Sequence, residues 1–205
     1  MRVPVASRRR ALIDAALVVI SRDGLAAATT RAIVAEAGMS LASLHYAFPS
    51  RDALLEAVID LVVEQEREAV MSALAAPSFE APRPDLGTVL RDGLGLYLAT
   101  IDRHPGREHG MLEFTLHAAR SGSPAAALQY LKYEGVVAEL LIAAAEASGM
   151  RWKAPVSELA ILVIALSDGL TISRIVHGDV PAVASEVLVT ALMTQAEPDP
   201  EVSEA

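Results

Sequence analysis

Apolar residues recur along this chain at the spacing of helix faces. Over residues 8–22, Leu12, Ala15, Ala16, Val19 and Ile20 share one stripe, and Gly24 stands where such a helix should stop. A short second helix follows Thr29 and Thr30 and ends near Gly38. Ser40 can cap a third that ends at Phe48-Pro49, and Ser50 a fourth, with Asp52 in its first turn, reaching about Ala76. The prolines among residues 76–85 exclude helix interior there. Further helices are expected near 86–102, 105–120, 124–148, 156–177 and 181–196, each ended by Gly or Pro signals. Strand-like alternation is scarce. The pattern therefore predicts an all-α chain of about nine helices without a sheet: an N-terminal unit over 1–51, a larger body over 52–196 and a disordered tail over 197–205.

Residues 29–48, TTRAIVAEAGMSLASLHYAF, have a helix-turn-helix layout. Ile33 and Ala37 face inward from the first short helix, Gly38 supplies a left-handed turn residue, and Leu44 and Phe48 anchor the second helix at i, i+4. Small side chains at Val34, Ala37 and Ala47 let the two helices cross closely. The second helix of such a pair is narrow enough to enter a major groove, and Ser, Thr, Tyr and Arg around it can bond phosphates. Periodicity leaves Leu41 ambiguous: Leu41, Leu44 and Phe48 fall at i, i+3, i+7, which would bury it.

With Arg10-Ala11-Leu12-Ile13-Asp14-Ala15-Ala16, Gly24, Thr29-Thr30, Ile33, Ala37-Gly38-Met39-Ser40, Ser43-Leu44 and Phe48-Pro49-Ser50-Arg51-Asp52-Ala53-Leu54, this segment resembles the DNA-binding domain of the TetR/AcrR family of transcriptional repressors. It departs from the usual pattern at Val34, Ala42, His45, Ala47 and Arg51. The resemblance implies a three-helix DNA-binding domain followed by a helical ligand-binding and dimerisation domain. It places Thr30, Arg31, Leu41, Ala42, Ser43, His45, Tyr46 and Arg51 at the DNA, with Leu41 pointing outward toward a thymine methyl. It also implies a homodimer whose two recognition helices meet half-sites ~34–36 Å apart on pseudo-palindromic double-stranded operator DNA. A small, largely apolar effector would release the repressor from its operator, from a pocket drawn from Tyr97, Met111, Phe114, His117, Tyr130, Tyr133, Glu134, Asp168 and Trp152. The last two long helices would form the dimer interface, through Leu159, Val163, Leu166 and Leu170 on one and Val187, Leu188 and Leu192 on the other.

Composition changes this picture in a few places. With 53% apolar and 21% charged residues among 205, the chain has too much surface to hide to be disordered. Lacking cysteine, it has no disulfide, thiolate or Cys-zinc chemistry. The net charge of −9 argues against nucleic acid until it is divided. Residues 1–51 hold seven arginines against three acids, a net +4, whereas the remainder holds ten basic and 23 acidic residues, a net −13. Arg8-Arg9-Arg10 before an apolar stretch imitates a signal peptide, but Asp14 interrupts it and Arg22-Asp23 follow where cleavage-site residues belong. The longest apolar run, Leu159 to Leu166, is too short for a membrane span. A cytoplasmic protein without a membrane partner is expected. His109, Glu113 and His117, at i, i+4, i+8, offer an alternative of another class, a helical metal-binding enzyme. A solvated helix stripe is the simpler explanation of that spacing, so neither enzymatic activity nor a metal or other cofactor is expected.

Overall fold

Pro4, with no amide proton to leave unpaired, opens the first helix, α1 (Val5–Asp23), one turn earlier than the apolar stripe predicts. The computed structural model describes residues 4–74 and 83–200. On α1 the buried residues are Leu12, Ala15, Ala16, Val19 and Ile20, the expected stripe. A 3-10 turn (Leu25–Ala27) leads to α2 (Thr30–Glu36), where the Thr29 hydroxyl accepts the Ala32 N–H at 3.2 Å. Ser40 caps α3 (Leu41–Ala47) in the same way through the Ser43 N–H. Between them Gly38 sits at φ +62°, which lets the Met39 N–H return to the Val34 carbonyl at 2.8 Å. Ile33, Leu44 and Phe48 are fully buried where the two helices cross.

Helix α4 (Arg51–Leu74) starts at Ser50, whose hydroxyl accepts the Ala53 N–H, and its expected end near Ala76 lies outside the described residues. Then come α5 (Leu86–Arg103), α6 (Pro105–Ser121), α7 (Ala125–Ser148), α8 (Val156–His177) and α9 (Ala182–Met193). The described residues thus hold nine α-helices. The expectation of no sheet is corrected: β1 (Met150–Trp152) and β2 (Ala196–Pro198) pair antiparallel, Arg151 opposite Glu197. An Arg151–Glu197 ion pair at 2.6 Å and the Lys153 N–H on the Gln195 carbonyl hold this ladder. Consequently α9 ends three residues before the predicted position, and residues 197–200 of the presumed tail are ordered.

Contacts divide the chain into two units, one comprising residues up to Glu64 with His104–Gln129, the other Gln65–Arg103 with the residues from Tyr130 onward. The boundary expected at residue 51 falls at the start of α4, whose Leu54, Leu55, Val58, Ile59, Val62 and Val63 are buried. In the first unit α6 packs on α1. Gly106 and Gly110 permit that approach, since an added Cβ would run into the Ser21 carbonyl oxygen and Ile20 Cγ2 respectively. The Glu113 carboxylate, one turn on, accepts the Leu25 N–H at 2.6 Å. In the second unit Leu141, Leu159, Leu170, Val180, Leu188 and Leu192 form one core and Leu86, Val89 and Ala144 another, with Trp152 packed against both.

Candidate DNA-reading surface and effector site

On α3 the side chains not needed for packing point outward. Tyr46 is 62% exposed, and Ala42 and His45 are exposed beside it. Leu41, which periodicity alone would bury, is 40% exposed, as the family position implies. The core anchor is instead the Leu44/Phe48 pair, and Leu41, one turn before Leu44 at the helix start, overhangs it. Ser43 is half-buried, its hydroxyl 3.0 Å from that of Ser40, so it belongs as much to the cap as to a DNA contact. Thr30 and Arg31 lie in the first turn of α2, where free N–H groups and the positive helix end favour phosphate.

The arginines of this unit divide into structural and available ones. Arg51 departs from its expected role: its guanidinium donates to the carbonyls of Ala28 at 2.7 Å and Leu25 at 2.9 Å, tying α4 to the 3-10 turn. Arg9 donates to the Ala47 carbonyl and stacks 4.0 Å over Phe48. Arg10 pairs with Asp14, and Arg22 with Asp23 and Glu36. Arg8 stands over the Tyr46 ring at 5.4 Å, which brings a cation from α1 to the exposed face of α3. Charge counting alone did not single out Arg8, because the pairing depends on how α1 crosses α3. Arg31 is exposed and, among the described residues, makes no ion pair.

In the second unit, five expected effector residues, Tyr97, Tyr130, Tyr133, Glu134 and Asp168, are half-buried on α5, α7 and α8. Tyr130 donates its hydroxyl proton to Asp168 Oδ2 at 2.5 Å and meets Tyr133 edge to face, ring centres 6.2 Å apart. The Thr171 hydroxyl donates to the Ser167 carbonyl, so at 2.6 Å the Tyr97 hydroxyl is the donor to Thr171. Thr171, one turn from Asp168 and buried, joins this cluster, which composition did not reveal. Burial pushes the Asp168 carboxyl above the usual carboxylate range, partly offset by the Tyr130 hydrogen bond, and holds the Tyr130 phenol far above its ordinary value. Met111, Phe114 and His117 belong to the other unit; the first two are buried beneath α6, whereas His117 is exposed. Trp152 donates its indole N–H to the Leu141 carbonyl and serves as core.

The predicted dimer residues need correction. Leu159, Leu170, Leu188 and Leu192 are buried in the core of a single chain, with Val163 and Leu166 packed against them; only Val187 is exposed. An all-round apolar helix gave no indication of which stripe would face inward. The opposite stripe remains uncovered: Ile161, Leu162, Ile172 and Val176 on α8, and Val183 and Val187 on α9. Helix α8 is long and apolar enough to cross a membrane by length and composition, but its stripe through Leu159, Ala160, Ile164 and Leu170 is core. The metal alternative is not favoured, because His109, Glu113 and His117 do not converge as a ligand group. Glu113 is held by the Leu25 N–H, His109 Nδ1 lies 2.9 Å from the Pro105 carbonyl, and no three metal-ligating side chains converge among the described residues.

A helical chain with a capped helix-turn-helix and an outward-facing second helix is of the DNA-binding class. Residues 12–58 match the model of the family described as bacterial regulatory proteins, tetR family. The nicotine-responsive transcriptional repressor HdnoR of Paenarthrobacter nicotinovorans is 43% identical over 65 residues, 32% of this chain and 34% of that protein. The transcriptional regulator BetI of Rhizobium meliloti is 37% identical over 84 residues, 41% of this chain and 40% of BetI. The match thus spans little more than a third of the length of these curated relatives. Among solved structures, the multidrug binding protein EbrR complexed with imidazole is similar over 91% of this chain and 90% of its own, with TM-score 0.67 and 29% identity. A TetR transcription regulator from Haloarcula marismortui, at 17% identity and TM-score 0.68 over 94% of this chain and all of its own, shares the fold. The N-terminal segment is thus similar to the DNA-binding segment of tetR-family regulators, and the chain as a whole shares the fold of TetR-type regulators.

Proposed function

We propose that this protein is a cytoplasmic, non-enzymatic repressor that binds operator DNA as a homodimer and is released by a small molecule. The observation that carries the DNA reading is the face of α3. Its inner side is fixed by Leu44 and Phe48, while Leu41, Ala42, His45 and Tyr46 are presented together, flanked by Thr30, Arg31 and Arg8. In this reading Arg31 and Arg8 neutralise phosphates, and Leu41 and His45 reach base edges. Dimerisation follows from the uncovered stripes of α8 and α9, whose exposed Ile, Leu and Val side chains need cover. The effector reading rests on the polar centre formed by Tyr97, Tyr130, Asp168 and Thr171. It is supported by the names of two similar proteins, one nicotine-responsive and one multidrug-binding.

Footprinting on the DNA upstream of the protein's own gene tests the central claim. Protection of two half-sites about one helical turn apart is expected. Absence of any protection at low salt would sink the proposal.

A further inference from the structure

We infer that the polar centre of the second unit is a counter-ion site for an organic cation, with Asp168 facing the charge and tyrosine rings facing its alkyl or aryl groups. The inference rests on the effector reading and narrows it from a largely apolar ligand to a cationic one. Asp168 lies half-buried in the middle of α8, where no other charged side chain stands between Glu158 and Arg174. Carboxylates in such surroundings are normally paired with a basic side chain. Here the only partner among the described residues is a neutral phenol, Tyr130, and no Lys, Arg or His lies within ion-pair distance. Most arginines of this unit are engaged elsewhere: Arg67 with Glu139, Arg91 with Glu186, Arg103 with the Ala99 carbonyl, Arg151 with Glu197, and Arg174 with Asp102 and Asp179.

Three of the chain's four tyrosines belong to this one neighbourhood. Tyr130 holds Asp168, Tyr133 meets Tyr130 edge to face, and Tyr97 bonds Thr171 one turn from Asp168. Glu134, one turn after Tyr130 and half-buried, adds a second carboxylate to the same face of α7. Aromatic rings beside an unneutralised carboxylate favour an organic cation over a neutral molecule of the same shape, and disfavour an anion.

The test titrates the full-length protein by calorimetry with benzyltrimethylammonium, its uncharged isostere neopentylbenzene, and phenylacetate. The cation is expected to bind at least about tenfold tighter than the isostere, as a charge-assisted contact would give, with phenylacetate weakest. Asp168→Asn should abolish that preference while still binding the isostere. Tyr130→Phe, which keeps the carboxylate, should weaken cation binding severalfold, and circular dichroism confirms that each variant is folded. Equal binding of cation and isostere, no binding of any probe at millimolar concentration, or an unchanged preference in a folded Asp168→Asn protein would each overturn the inference. A parallel gel shift separates the two readings. Operator release by the neutral isostere without cation preference leaves the effector reading standing and removes this one, whereas selective cation binding without any effect on DNA does the reverse.

Discussion

At the scale of single residues, side chains of one type divide by what they touch. Arg51 and Arg31 look equivalent in the sequence, yet Arg51 satisfies two backbone carbonyls and Arg31 projects into solvent. Arg51→Ala should therefore cost about 1.5–3 kcal/mol of stability, the range for hydrogen bonds from a charged donor, and lower the melting temperature. Arg31→Ala should leave melting unchanged, weaken binding to all DNA sequences alike, and reduce the salt slope of log K by about 0.9 for each phosphate that Arg31 neutralises. Asp168 provides a pH signature. Burial raises its folded-state pKa above the ordinary value of 3.8, so the folded state binds the proton more tightly than the unfolded chain does. Ionisation therefore penalises the folded state as pH rises above 3.8, and fully so beyond the raised value. Without ligand, Asp168→Asn should melt above wild type at about pH 7 but not at about pH 3, a difference that scanning calorimetry at the two pH values would show.

At the scale of elements, the packing of α6 on α1 depends on two missing side chains and one carboxylate. Gly106→Ala would set a methyl against a backbone carbonyl that no rotamer change can move, and a loss of about 1–3 kcal/mol is expected in urea unfolding. Gly135→Ala, in mid-α7 with open space around it, should instead gain about 0.5–1 kcal/mol from helix propensity alone. Local chemistry made most elements legible in advance. Thr29, Ser40 and Ser50 cap where they were expected to, and Gly38 turns the chain between α2 and α3. Long-range geometry was not legible. Strands of three residues carry no periodicity to detect, and their pairing joins positions about 46 residues apart along the chain. Likewise nothing local distinguishes the buried stripe of α8 from the exposed one, nor shows that Arg51 turns inward while Arg8 reaches Tyr46.

At the scale of the molecule, the exposed stripes of α8 and α9 make association the expected state. Ile161→Glu together with Val187→Glu, both at exposed positions, should leave the single-chain core intact and convert a dimer to a monomer in light scattering, with helicity unchanged. Operator affinity should fall with it, because a monomer engages only one half-site. The single tryptophan, Trp152, lies in the second unit, its indole bonded to the Leu141 carbonyl beside the small β ladder. Its emission is thus a reporter with a single address: a fluorescence melt follows only the half of the chain that carries the tyrosine–aspartate centre, while circular dichroism averages over every helix. If the two curves coincide, the two units unfold as one cooperative piece; if they separate, each has its own thermodynamic life, and a ligand that shifts only the fluorescence curve identifies the half it stabilises.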